Sequence, residues 1–456
     1  MGPTITIIGG GSHQWVPKLI TDIAHHPALK ESQVVLEDID ASRLPLMQSY
    51  VEHVAKVLGI PLTVRSTTDQ RAALDGADFV IVNISTGGFD SMAHDLDIPA
   101  RYGIQQTVGD TVGPGGIMRA LRNIPVFLDI AADMRSQCPD AWMLNLTNPM
   151  TAICRGVTKE TPIKTVGLCH EVTITSFFLS LLLGVGFFDV RPTIAGVNHL
   201  PVITALDAGG DDGLAKLADL LQGDGLSEPL PFELPDELIG EALKPGETWT
   251  KQRLADAHKV KFELFRRTGG LPAAGDRHLV EFFAGFLTEE SGQGARWGVQ
   301  PTPIAKRRAD EARFVTELQE QLASDEVSDF PSGEMVHTVI GCLTTGDLAH
   351  LPLNIPNAEQ CPDLPADVVV ESMCVVDGNG IRGRDVARAP GLLAEQLRRV
   401  SASQELVVAA GVSGDRDQVV EAMLADPLAG RIDYDRLVAM TDEMLAATKP
   451  WLPQFA

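Results

Sequence analysis

The chain has 456 residues, 44% of them hydrophobic, and a formal charge of −24 at neutral pH. That charge excludes nucleic acid, whose phosphates demand a basic face, and an anionic membrane surface. The length supports a large two-part body or two to three domains, and no apolar run reaches the ~18 residues of a membrane span.

The opening "MGPTITIIGGG" runs straight into a strand and lacks the basic segment and cleavage site of a secretory signal. Six scattered cysteines then read as reduced thiols, and a cytoplasmic location is expected. Apolar runs bounded by turn residues follow at 4–9, 34–38, 79–84, 142–147 and 164–169, with helical patterns such as "WVPKLITDIAHH" and "GIMRALRNIPVFLDIAADMRSQ" between several of them. Strands that are apolar on both faces and alternate with helices predict an α/β fold with a parallel, doubly wound, Rossmann-like sheet.

The first strand ends in Gly9-Gly10-Gly11-Ser12 and then enters a helix. Glycines there let the backbone turn tightly and approach a pyrophosphate. The fingerprint is incomplete, because Gln14 stands where a third glycine belongs, and a plain strand–helix turn is the bland reading. The second strand ends "LEDID", which places Glu37, Asp38 and Asp40 at its carboxyl end. An acidic residue there accepts from the ribose hydroxyls of NAD and disfavours NADP.

Ligands of open parallel sheets lie beyond the carboxyl ends of the strands. The third apolar run opens at Asn83 into a long glycine-rich segment with Asp110 in its middle. The next ends in Asn145, Thr147 and Asn148, and "IKTVGLCHEV" ends in Cys169, His170 and Glu171. A further strand-like run, in "TIAGVNHLPV", ends at Asn198-His199. Thiolate plus imidazole is a coordination set for a borderline divalent cation such as manganese, iron or zinc, and two protein ligands leave positions open for substrate oxygens. Farther on, Gly275-Asp276-Arg277-His278 lies between two amphipathic stretches. It reads either as a helix start capped by Asp276 or as a substrate clamp, and Glu281 should share a helical face with His278.

These segments together resemble glycoside hydrolase family 4, the NAD- and metal-dependent glycosidases that depart from two-carboxylate chemistry. "TIIGGGS", "LEDID", "VGDTVGPGGIMRALR", "NLTNP", "GLCH", "GVNHL", "GDRHLVEFF" and "LNIPNAEQCPDLPADVVVE" carry the resemblance, in order, over residues 4–430. It implies a Rossmann-like NAD domain over 1–170 and an α+β substrate and metal domain over 171–456, an arrangement like that of lactate and malate dehydrogenases. It also implies NAD, a divalent metal (manganese), a sugar glycoside as substrate, and a homodimer or homotetramer.

The implied mechanism oxidises C3 of the sugar with NAD, which acidifies the C2 proton. Metal-assisted deprotonation, elimination of the aglycone, water addition and re-reduction follow. By position, Gly9, Gly11, Ser12, Asp38 and Asn83 fall to the cofactor, and Cys169 and His199 to the metal. Asn148, Arg277 and His278 fall to the substrate. Members acting on 6-phosphorylated sugars use a tyrosine base, but no tyrosine stands near 240–290. As in the branch acting on non-phosphorylated sugars, the resemblance implies Asp276 as the base, and Asp110, then Glu171 or His170, as the acid. The resemblance thus points to the branch that cleaves non-phosphorylated hexosides or hexuronides. The competing reading is an NAD-dependent 2-hydroxy-acid dehydrogenase on a related fold.

The apolar stretch "SFFLSLLLGVGFF" reads as a buried helix, and residues 206–250, acidic and rich in Gly and Pro, as a surface excursion or lid. "DVVVESMCVVDGNGI" is strand-like, and "LLAEQLRRVSASQELVVAAGV" and "QVVEAMLADPLA" are amphipathic helices.

Overall fold

The computed structural model describes residues 2–230, 250–328 and 332–455. The five expected strands are present as β1 (Thr4–Ile8), β2 (Gln33–Glu37), β4 (Phe79–Val82), β5 (Trp142–Asn145) and β6 (Lys164–Leu168). A sixth, β3 (Thr63–Thr67), pairs with β2 at the edge of the sheet. All six are parallel in the order β3-β2-β1-β4-β5-β6, the doubly wound arrangement, with the order reversing beside β1.

Beyond β6 the same sheet continues antiparallel through β11 (Ala349–Pro356), β12 (Val369–Asp377), β7 (Val190–Val197), β8 (Leu200–Ala208) and β10 (Leu271–Pro272). Two short strands, β9 (Asp211–Asp212) and β13 (Gly380–Gly383), pair with β8 and β12. The strand-like run expected to end at Asn198-His199 is β7, which stops at Val197; "LPV" already belongs to β8, and Asn198-His199 form the tight turn of the β7–β8 hairpin. Of the expected excursion, residues 206–208 complete β8 and the helix Gly213–Gln222 begins under an Asp212 cap, whereas 231–249 lie outside the described residues.

Helices cover both faces of the sheet. On one face Trp15–His25, Leu44–Leu58 and Val336–Thr345 bury a core with Ile5, Ile7, Val34 and Leu36 of the central strands. On the other, the long helix Gly113–Gln137 packs with Gly391–Ser413 and Arg416–Ala425 over Val80, Val82 and Met143. The helix Glu171–Leu183 and the Gly213–Gln222 helix close a third core against β7 and β8. With both faces covered, the carboxyl ends of β1, β2, β4, β5 and β6 remain for ligands. Gly9, Asp38, Asn83, Asn148 and Cys169 follow these ends, whereas His199 comes from the β7–β8 turn and Asp276, Arg277 and His278 from the helix Asp276–Phe282.

Candidate functional site

At the end of β1 the backbone turns under Gly9, whose φ is +86°. A Cβ there would stand 2.1 Å from the Asn83 carbonyl oxygen, so only glycine fits. The amides of Gly9 and Gly10 donate to the Glu37 carbonyl at 2.9 and 2.6 Å, and the Ser12 amide donates to the Gly9 carbonyl at 3.1 Å. Asp38 fastens the same turn, accepting from the Gly11 amide at 2.9 Å and from the Asp40 amide at 2.9 Å. A Cβ on Gly11 would meet the Asp38 carboxylate and Arg43 at 2.7 Å. A tight, Cβ-free turn beside an acidic strand end fits a dinucleotide. Gly9, Gly11, Ser12, Asp38 and Asn83 are thus gathered in one place.

The second cluster forms across the hairpin turn. His199 has φ +63°, a left-handed conformation that a non-glycine residue holds only under tertiary constraint. Its ring stacks on His278 with centroids 3.7 Å apart. Asp110, His199 and His278 bring ligand atoms within 4.8 Å of one another. The Thr111 hydroxyl donates to Asp110 at 2.7 Å and lies 2.8 Å from His199 Nδ1. A hydroxyl has one proton, so with that proton committed to Asp110, His199 Nδ1 must donate. The Nε2 lone pair is then left for a cation. Asn148 closes the group, its amide nitrogen 3.4 Å from Asp110, and Asn148 Oδ1 and His278 Nδ1 are buried without a hydrogen-bond partner among the described residues. Carboxylate, imidazole and amide donors, several of them unspent, fit a divalent cation.

Cys169 directly follows β6 and is buried with Met150, Cys154 and Val369. It is not a member of the Asp110–His199–His278 group. Burial, reinforced by Glu371 and Glu171, pushes its thiol well above the ordinary range. The next two residues, His170 and Glu171, act electrostatically on His199, so the turn after β6 faces the hairpin.

Charge is tightly balanced here. Burial would raise Asp110, but His278, His199 and Arg119 overcome it and hold the carboxyl at about 2. Burial and His278 lower His199 to about 3, and burial lowers His278 to about 4 against the pull of Asp110. His170 binds Glu334 at 2.7 Å, which outweighs burial and lifts it to about 9. Glu171 accepts from the Gly275 amide at 2.7 Å and stands 3.8 Å from His278 Nε2.

Asp276 is the first residue of the short helix Asp276–Phe282, not its cap. Its carboxylate instead accepts the Val260 and Lys261 amides, at 2.8 and 3.0 Å, at the start of the neighbouring helix Lys259–Thr268. Burial raises it to about 6 against the pull of Lys261. Lys261 is itself lowered by burial to about 8 and donates to Thr175 Oγ1 at 2.8 Å. One turn on, buried Glu281 accepts the Val108 and Gly109 amides at 2.8 and 2.9 Å, gripping the loop that presents Asp110. Arg277 is exposed and donates to the Thr107 carbonyl at 3.3 Å.

Sequence reasoning did not mark Lys261, Arg119, Arg307 or Glu334. Each lies in an ordinary helical or loop context, and only tertiary contact brings it to the site.

The family model described as "Family 4 glycosyl hydrolase" matches residues 4–185, and the one described as "Family 4 glycosyl hydrolase C-terminal domain" matches residues 194–429. The chain is a family 4 glycosyl hydrolase. An α-galacturonidase of Thermoanaerobacterium saccharolyticum is 33% identical to it, over 98% of this chain and 96% of its own. The crystal structure of a putative glucosidase from Bacillus subtilis superposes with a TM-score of 0.85 at 31% identity, covering 97% of this chain and 100% of that one. A 6-phospho-α-glucosidase from gut microorganisms, solved in complex with NAD and Mn2+, shares the fold with a TM-score of 0.82 at 20% identity, with full coverage of both chains. Among the described residues of this family 4 enzyme, no helix is long and apolar enough to cross a membrane.

Proposed function

We propose that this family 4 enzyme cleaves a non-phosphorylated α-hexuronide of the galacturonide type, with NAD and a divalent cation, manganese in the first instance. The observation that carries this reading is the convergence of Asp110, His199 and His278, with Asn148 beside them, in a chain of this family. The sugar class rests on the 33% identical relative named an α-galacturonidase, which this chain covers almost end to end.

When bound, NAD supplies a reversible hydride acceptor for C3 of the sugar, and the cation supplies Lewis-acid stabilisation of the charge that develops on the C2 and C3 oxygens. The glycine turn Gly9–Ser12 and Asp38 seat the cofactor, with Asn83 closing the floor. His199, through Nε2, and Cys169, once its thiol gives up its proton, would hold the cation, and Asn148 would orient a sugar hydroxyl beside it. Asp276 removes the C2 proton. Its two backbone hydrogen bonds and the Lys261 ammonium fix it in position between turnovers. Of the residues expected to supply the proton for the leaving oxygen, His170, lifted to about 9, carries one at neutral pH, whereas Asp110, held at about 2, is ionised and serves to orient the paired imidazoles.

The deciding experiment is turnover of an aryl α-galacturonide in deuterated water, with NAD and Mn2+ present or withheld. Cleavage that needs both additions, with solvent deuterium at C2 of the released sugar, is expected. Cleavage without C2 exchange overturns the elimination route. Net NADH accumulation on a 2-hydroxy acid, with no glycoside cleaved, overturns the glycosidase reading in favour of a dehydrogenase.

A further inference from the structure

Resting on the hexuronide reading, we infer that Arg307, paired with Arg277, is the specificity-determining seat of the sugar's carboxylate. Arg307 lies on the helix Ile304–Leu322, away in sequence from every segment assigned above. Its Nη2 donates to the Val108 carbonyl at 3.0 Å and its Nε reaches the Thr302 carbonyl at 3.5 Å. Arg277 hangs on the same scaffold through the Thr107 carbonyl at 3.3 Å and the Thr302 hydroxyl. The Thr302 amide in turn donates to the Thr107 carbonyl at 3.1 Å. Two guanidiniums are therefore fixed side by side, by neutral acceptors only, on the loop that presents Asp110.

Neither arginine has a carboxylate within 4.0 Å among the described residues, and neither does Arg119, which bonds the Asn148 carbonyl at 2.9 Å. This is unusual in a chain with 61 acidic residues against 37 Lys and Arg, where acidic partners are plentiful. Burial, with Arg277 and Arg119 close by, lowers Arg307, while Asp110 and Glu281 act to raise it. Three guanidiniums here face two carboxyls, Asp110 and Glu281, and burial pushes Glu281 up to about 7, so positive charge is in excess. A planar fork with spare N–H groups matches a carboxylate bidentately.

The same helix explains how Arg307 is held. One turn on, Glu311 pairs with Arg43 and with His13 at 3.1 Å, beside the glycine turn. The Arg43 Nε donates to the Gly11 carbonyl at 2.9 Å. The helix thus crosses from the cofactor turn to the Asp110 loop. It sets Arg307 on the substrate side, where an anionic group on C6 of a sugar held at the Asp110–His199–His278 cluster meets it.

The test compares three aryl α-galactosides that differ only at C6 (carboxylate, hydroxymethyl and phosphate) on the wild-type enzyme, Arg307→Gln and Arg307→Lys, with NAD and Mn2+ saturating. The wild type should prefer the carboxylate. In Arg307→Gln the ratio of kcat/KM for carboxylate over hydroxymethyl should fall at least 30-fold, mainly through KM. Arg307→Lys, which restores charge without the fork, should recover part of that ratio. An equal loss on both substrates, or an unchanged ratio in both variants, overturns the assignment while leaving the hexuronide reading intact. A wild type that cleaves only the hydroxymethyl substrate defeats the hexuronide reading itself. A preference for the phosphate overturns the carboxylate seat in favour of a phosphate seat.

Discussion

Glu37 shows how one residue can serve the cofactor turn through its backbone and burden the fold through its side chain. Its carbonyl receives two glycine amides, while its carboxyl, 3% exposed, is pushed up to about 7 by burial and then by the neighbouring Asp38. A folded-state value above the unfolded one means that the native chain holds this proton more tightly. The stabilising contribution is full below about 4.5, the unfolded value, and is lost as pH rises through about 7. Glu37→Gln keeps the shape and removes the charge. Its melting temperature without NAD should match the wild type near pH 4.5 and exceed it at pH 8. The gain corresponds to at most ~3 kcal/mol by the pKa–energy relation. A difference that stays constant across that range in thermal melts would show that Glu37 is ionised in the native state throughout.

At the scale of elements, the helix Gly88–Arg101 is tied to Gly113–Gln137 by Asp95 and Arg122, both 1% exposed or less. Their two hydrogen bonds are 2.9 and 2.6 Å, and burial raises the Asp95 carboxyl above its ordinary value despite the pull of Arg122. Removing one partner strands a buried charge, which costs ~3–5 kcal/mol, whereas an apolar pair of similar volume is close to neutral. Arg122→Met should therefore lower the urea midpoint sharply, and Asp95→Leu with Arg122→Met should recover most of it. If the double variant proves as unstable as the single one, the pair contributes by packing and not by charge.

The same elements show what was legible in the sequence. The strands β1, β2, β4, β5 and β6 were readable because buried apolar runs stop at glycines, acidic residues, asparagines or a Cys-His pair. The edge strand Thr63–Thr67 was not, since "TVRST" is half-exposed and polar. The residues that follow strand ends were legible because the topology fixes where ligands bind. Arg307, in "AKRRADEARF", looks like a solvated helix face, and Lys261 stands beside the exposed Lys259. Their roles are fixed by contacts with residues 108 and 175, which no local pattern encodes.

Over the whole molecule, the net charge of −24 opposes any anionic sugar, while Arg119, Arg277 and Arg307 attract it at the site. The two effects differ in range. At ~0.01 M salt the screening length is ~30 Å, so the repulsion of most of the acidic surface reaches the mouth of the cleft. At ~0.1 M it is ~10 Å, which removes the distant repulsion but leaves the half-buried Arg119 and Arg307 largely unscreened toward a ligand bound beside them. KM for an aryl α-galacturonide should therefore fall as NaCl is raised from 0.01 to about 0.1 M, while KM for the uncharged galactoside stays flat. Further salt, toward ~1 M with a screening length of ~3 Å, should raise the galacturonide KM again as the local attraction weakens. Steady-state kinetics across that series separates the contributions. A galacturonide KM that rises from the first addition of salt would mean that the arginines already dominate the field outside the cleft. A flat response would mean that the carboxylate does not meet them.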